Sequence, residues 1–197
     1  MTPSPAPCTS TSKADVIFIL DFPESIGIKN WRKQLQFVAD MTKQFTIGPA
    51  ALRFGVVINN FSPLKLFDLN SYTLSSEQAL VSTMLMSSLK YTDKALNFVQ
   101  TQKMFSPISG GRDSAPDIVV LITEGTSNSV GNTISAAKNL KSSGVSIITV
   151  GVGGNLAVDV LQTLASSRAD VVVASSFDTL GSVQRKLVDL ICSKASN

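Results

Sequence analysis

Residues 14–27 read ADVIFILDFPESIG, and no other stretch limits the fold as tightly. Val16, Ile17, Phe18, Ile19 and Leu20 form an unbroken apolar run rich in β-branched and aromatic side chains. A half-buried strand alternates apolar with polar, so an unbroken run demands cover on both faces, as in the middle of a parallel sheet. The run stops at Asp21, a carboxylate placed where such a strand leaves the carboxyl edge. That edge is where open α/β sheets put their sites. After Phe22-Pro23-Glu24-Ser25 the spacing turns helical: Ile28, Trp31, Leu35, Val38, Met41 and Phe45 recur at steps of three and four. Trp31 falls on that apolar stripe and is read as core.

The alternation continues along the chain. Residues 53–58 (RFGVVI) are a second apolar strand, Asn59 to Pro63 a turn, and Leu64 to Asp68 an alternating segment, which together predict a hairpin with its second strand at a sheet edge. Ser75-Ser76-Glu77 opens a helix through Leu80, Met84 and Leu85, and Thr92-Asp93 is expected to cap another carrying Ala95, Leu96, Phe98 and Val99. A small-residue loop, Ser106 to Ala115, precedes a strand Ile118–Thr123 and a helix ending near Lys141, with Gly144 beyond it. A strand Val145–Val152, a helix Val158–Ser166, a strand Asp170–Ala174 and a helix Ser176–Cys192 close the chain. Strands alternating with helices predict an α/β fold. Its form is a doubly wound, mostly parallel sheet of about six strands, one of them antiparallel at an edge, with helices on both faces.

Three phrases carry a family resemblance. The first is the buried strand ending in Asp21 with Ser25 and an amphipathic helix after it. The second is Lys90-Tyr91-Thr92-Asp93-Lys94-Ala95-Leu96-Asn97-Phe98-Val99, similar to a T-x-T-G-x-A-L helix start. The third is Asp117-Ile118-Val119-Val120-Leu121-Ile122-Thr123-Glu124-Gly125, similar to a V-L-I-T-D-G strand. In this order and at these separations they resemble the von Willebrand factor A domain, or integrin I domain, from about Lys13 to Cys192. Ser71-Tyr72-Thr73-Leu74 and the Lys90–Val99 phrase are most similar to matrix members such as those of type VI collagen. The expected division is a Pro/Ser-rich tail over 1–12 carrying Cys8, a single domain over 13–192 and a short tail over 193–197. The first seven residues read as an extended piece of linker, with no charged-then-apolar leader.

The resemblance implies a Mg²⁺ site built from hydroxyls and carboxylates at the carboxyl edge, and Mg²⁺ takes six oxygens in near-octahedral order. Asp21 and Ser25 match two ligand positions, but Pro23 replaces a Ser and offers no side-chain oxygen. Counting back five residues from Ala95 puts Lys90 where the family has a coordinating Thr, while Thr92 matches only a non-coordinating one. Glu124 stands for an Asp and is one methylene longer. An ammonium beside Asp21 and Glu124 would satisfy both carboxylates, keep both ionised and repel a divalent ion. One such contact at 4 Å is worth about 4 kcal/mol at an effective dielectric near 20, before desolvation. The expectation is a degenerate, metal-free site with no cofactor. The alternative is that Lys90 faces solvent while Asp21, Ser25 and Glu124 hold a weak Mg²⁺ or Mn²⁺ with water.

Cys8 and Cys192 bracket the domain, either as unrelated thiols or, as the resemblance to matrix and plasma members implies, as a disulfide closing the two ends. Such a bond implies an oxidising, secreted, extracellular-matrix setting. Asn60-Phe61-Ser62 is then a candidate N-glycosylation sequon at Asn60, with Pro63 just after it. Gly151-Val152-Gly153-Gly154 lacks the Lys-Ser/Thr of a phosphate loop and reads as a tight strand-to-helix turn.

Charge is sparse, 17 basic against 14 acidic residues, and forms no basic stripe for nucleic acid. No apolar run reaches the roughly 18 residues of a membrane span. The chain contains 0 histidines, which removes Ser-His and Cys-His catalysis. The leading expectation is a non-enzymatic extracellular adhesion or matrix module that binds protein, such as collagen or another matrix component. Its partner-binding rim would be Phe22, Glu24, Lys90, Tyr91, Thr126 and Asn128, with the helix sides as the competing surface. Alternatives are a metal-dependent, integrin-like adhesion domain and a structural module that self-assembles or spaces neighbouring domains in a tandem array. A remote one is a hydrolase using Asp21 and Glu124 as acid and base.

Overall fold

The apolar run at the start of the chain is strand β1 (Ala14–Asp21), and all eight of its residues are buried. This computed structural model of the protein describes residues 8, 12–22, 24–71, 90–125 and 127–195. β1 lies between two parallel neighbours, β2 (Leu52–Asn59) and β4 (Asp117–Thr123). β5 (Ser146–Val152) and β6 (Val171–Ala174) extend the sheet in parallel beyond β4. β3 (Leu64–Phe67) returns antiparallel along β2 and forms the opposite edge. The six-stranded order is β3-β2-β1-β4-β5-β6, the mixed sheet that the alternation predicts.

Side chains alternate across a strand, so β1 feeds two separate cores. Val16, Phe18 and Leu20 meet Trp31, Phe37 and Met41 of α1 (Gly27–Thr42) and Leu187 and Ile191 of α5 (Gln184–Ala195). Ile17 and Ile19 meet Leu96 and Val99 of α2 (Thr92–Thr101) and Ala137 and Leu140 of α3 (Val130–Ser142). The short α4 (Val158–Leu164) adds Leu164 to this second core. Burying a side chain of this kind is worth roughly 1.5–3 kcal/mol, which explains why the central strands carry no polar residue between Val16 and Leu20.

Several local expectations are corrected. The stripe on α1 is rotated: Ile28 is 39% exposed while Gln34 and Phe37 are buried. Gln34 turns inward because its Nε2 donates to the Asp21 carbonyl at 3.0 Å, tying the helix to the end of β1. Thr92 does not cap α2; Tyr91 holds the N-cap position and the Thr92 side chain is used elsewhere. The closing helix begins as a 3₁₀ segment, Phe177–Val183, whose Ser176/Thr179 capping box fixes its start. It becomes α-helical only at Gln184 and runs on to Ala195, past the expected end. The helix expected from Ser75 through Leu85 lies outside the described residues, as do Pro23 and Thr126.

Gly27 opens α1 with φ +72°, and Gly153 turns the chain after β5 with φ +126°. Both conformations are ones that a Cβ disfavours. Cys8 and Cys192 are joined, with Cα atoms 4.8 Å apart across a sequence separation of 184.

Candidate functional site

The carboxyl ends of β1, β2 and β4 converge on one polar cluster. Asp21 shares the parity of Ile17 and Ile19, Asn59 that of Val57, and Thr123 that of Val119 and Leu121, so all three side chains leave the sheet toward α2 and α3. Asp21 and Asn59 are opposite each other in the parallel register. Asn59 Nδ2 donates to Asp21 Oδ1 at 2.7 Å and also reaches Thr92 Oγ1 at 3.2 Å. Thr123 Oγ1 lies 2.6 Å from Asp21 Oδ2 and 2.8 Å from the Gly125 carbonyl. A threonine hydroxyl carries a single hydrogen, so Thr123 donates to one of these two oxygens at a time, the Asp21 carboxyl or the Gly125 carbonyl.

Asp21 is fully buried, and burial pushes its carboxyl above the usual value. Lys90 and the hydrogen bonds from Thr123 and Asn59 pull the other way, and the Glu124 charge adds to the rise. Desolvation is thus the largest influence on Asp21, acting against the ionised form that Lys90 favours.

Glu124 is the carboxylate that Lys90 meets. Lys90 Nζ lies 3.4 Å from Glu124 Oε1, both side chains being mostly buried. The Ser25 hydroxyl donates to the same oxygen. Lys90 is held in place through its backbone: its N–H donates to Asn128 Oδ1 at 2.6 Å, and its carbonyl accepts from the Asn128 N–H at 2.8 Å and Ser127 Oγ at 3.2 Å. Ser127 Oγ also accepts from the Thr92 N–H at 3.2 Å, so the segment before α2 and the loop after β4 are zipped together.

Of the rim residues expected from sequence, Glu24 and Asn128 are exposed, while Lys90 and Tyr91 are partly so. Phe22 is not on the rim: it is fully buried, its ring 4.6 Å from that of Trp31. It has the parity of Leu20 and so follows the strand into the α1 core. Trp31 is core, as its stripe implies. The Asn60 side chain of the sequon is 9% exposed, and its Oδ1 accepts the Phe61 N–H at 2.8 Å. Asn59 and Thr123 were legible only as a turn residue and a strand end. The signal that marks them is their place, as polar residues terminating apolar strands beside Asp21.

The family model described as von Willebrand factor type A domain matches residues 15–186. Among curated relatives, the collagen alpha-4(VI) chain of Mus musculus is 30% identical over 185 residues, 93% of this chain and 8% of its own length. The collagen alpha-1(XX) chain of Mus musculus is 32% identical over 195 residues, covering 95% of this chain and 14% of its own. Vitrin of Homo sapiens is 31% identical over 144 residues, 72% of this chain and 21% of its own. The chain thus spans a small part of each. Among solved structures, proximal thread matrix protein 1 from the mussel byssus superposes with a TM-score of 0.83 at 26% identity, over 94% of this chain and 49% of its own. A further structure of that mussel protein, with a zinc-occupied MIDAS motif, gives 0.80 at 27% identity, over 91% and 48%.

Proposed function

The chain belongs to the von Willebrand factor type A domain family, and from that premise we propose that it is a non-enzymatic adhesion module of the extracellular matrix that binds a protein partner without a metal ion. Its relatives are extracellular-matrix proteins, and it is secreted with them. The disulfide accords with an oxidising compartment. No helix among the described residues is long and apolar enough to cross a membrane. The partner class we favour is a matrix protein such as a collagen, the class its relatives belong to, with neighbouring domains of a longer chain as the second candidate.

The observation that carries the metal-free reading is the ammonium of Lys90 on Glu124 Oε1. A hard divalent cation needs open, anionic oxygens. Here Asp21 offers an oxygen to Asn59 and another to Thr123, and Glu124 is engaged by Lys90 and Ser25. Pro23 brings no side-chain donor. The residues present do not fit Mg²⁺. Titration calorimetry with Mg²⁺ and Mn²⁺ tests this, comparing the natural chain with a variant carrying Pro23→Ser, Lys90→Thr and Glu124→Asp. We expect heat only from the variant. Saturable binding by the natural chain would overturn the reading and restore metal-dependent adhesion, which is the function that the zinc-occupied motif of the mussel protein would favour. Binding to immobilised collagens in the presence and absence of EDTA tests the adhesion part.

A further inference from the structure

Beside the relic site, the turn after β2 and the start of α2 build a second feature. Phe61 is 52% exposed. Its ring meets the Tyr91 ring edge-on at a centroid distance of 5.8 Å. The Lys94 ammonium lies 4.1 Å from the Phe61 centroid and 4.3 Å from that of Tyr91, held by both rings. It also donates to the Phe61 carbonyl at 3.3 Å. Leu64, 43% exposed, lies three residues on in the same hairpin.

Among the described residues, Lys94 is a cation without an anion. No carboxylate among them lies within ion-pair distance of it, although Lys90, four residues earlier, has Glu124. Asp93, its chain neighbour, is buried. An ammonium has three hydrogens, and the Phe61 carbonyl takes one. The two rings orient the group without consuming a donor. A fixed cation flanked by exposed aromatic surface complements a carboxylate that has an apolar side chain next to it.

We propose that Phe61, Tyr91 and Lys94 form the partner-docking surface of this domain, and that its occupant is an extended peptide segment of a protein partner presenting an Asp or Glu carboxylate to Lys94 and an adjacent apolar side chain to Phe61. This rests on the adhesion reading above and supplies it with a residue-level surface. The surface is pre-organised, because the rings and the carbonyl fix Lys94 before any partner arrives.

The test is an NMR titration of the whole chain with acetyl-Ala-Leu-Glu-Ala-amide and with its Gln counterpart. The Glu peptide is expected to give saturable shifts at the Phe61 and Tyr91 rings and the Lys94 ε-methylene. The Gln peptide, and the Glu peptide against Lys94→Met or Phe61→Ala, should bind at least fivefold more weakly. Each variant is first shown to keep its fold by thermal unfolding, as both side chains are at the surface. Equal binding of Glu and Gln peptides, or no loss in Lys94→Met, would overturn the proposal. Immobilised collagens separate the two readings. If the natural chain and Lys94→Met adhere equally, the surface is wrong and adhesion stands. If the natural chain takes the Glu peptide at these residues but adheres to no matrix protein, the surface stands and the matrix partner is wrong.

Discussion

Asn59 donates to Asp21 across the parallel register that places the two residues side by side, at 2.7 Å and out of contact with water. The bond gives a buried carboxyl a neutral partner, and its removal is predicted to be costly. Asn59→Leu should destabilise the domain by about 2–3 kcal/mol, the cost of leaving a buried acceptor unsatisfied. Asp21→Asn should cost less than about 1 kcal/mol, since the amide oxygen can still accept from Asn59 and the amide nitrogen can donate to Thr123, whose hydroxyl then turns to Gly125. Urea unfolding of both variants decides the point; a larger loss for Asp21→Asn would show that the negative charge is needed.

At the opposite edge of the sheet, Arg112 forks Asp15. Its Nε and Nη2 lie 2.9 and 2.6 Å from Asp15 Oδ1, and it also donates to the carbonyls of Ala14 and Pro49. Asp15 is fully buried. Arg112→Met would strand that charge, and a loss of about 3–5 kcal/mol is expected in chemical denaturation. The paired variant Arg112→Met with Asp15→Asn should recover much of it, which a purely steric role for Arg112 would not allow.

Asp117 stands opposite Asp15 in the β1–β4 register. Burial, then Asp15 and Asp113, push its carboxyl up to about 7, and its Oδ1 has no hydrogen-bond partner. Because the folded pKa lies above the unfolded one, the folded chain holds more protons between about pH 4 and 7, and stability falls as pH rises through that window. Asp21 shifts in the same direction and adds to the slope. Asp117→Asn should flatten the profile and raise stability above pH 7 by roughly 1–2 kcal/mol, a figure reduced for partial exposure. Thermal melts at pH 5 and pH 8 measure it. An unchanged difference between the two would count against the assignment.

Removing the disulfide, as Cys8→Ser with Cys192→Ser, should cost about 2–5 kcal/mol, because the bond closes almost the whole chain into one loop. For a domain of this size the midpoint should drop by about 5–15 °C. Calorimetry with and without reductant on the natural chain should give a comparable drop, and no change would mean that the cross-link does not constrain the unfolded state.

The sequence carries the sheet and loses the contacts at its edge. β1 is legible because an unbroken apolar run has few alternatives to a doubly covered strand. Lys90 is legible because counting back from Ala95 needs no three-dimensional knowledge. Asn59 and Thr123 are not, since register decides which strand ends touch, and the pattern of each strand says nothing of its neighbour's. Phe22 misleads for a related reason. An aromatic in a turn after a strand looks like a rim residue, but strand parity carries past Leu20 and directs it onto Trp31. Thr92 resembles a helix cap until its hydroxyl is found within reach of the Asn59 amide.

The joined cysteines put the chain's way in and way out of the domain at one point, their Cα atoms 4.8 Å apart. A pull applied to polypeptide on either side of them passes through the cross-link and leaves the sheet and its two cores unloaded. Were the chain part of a longer polypeptide under tension, the domain would hang from it as a pendant. Its sheet would keep its shape while the polypeptide that carries it is stretched.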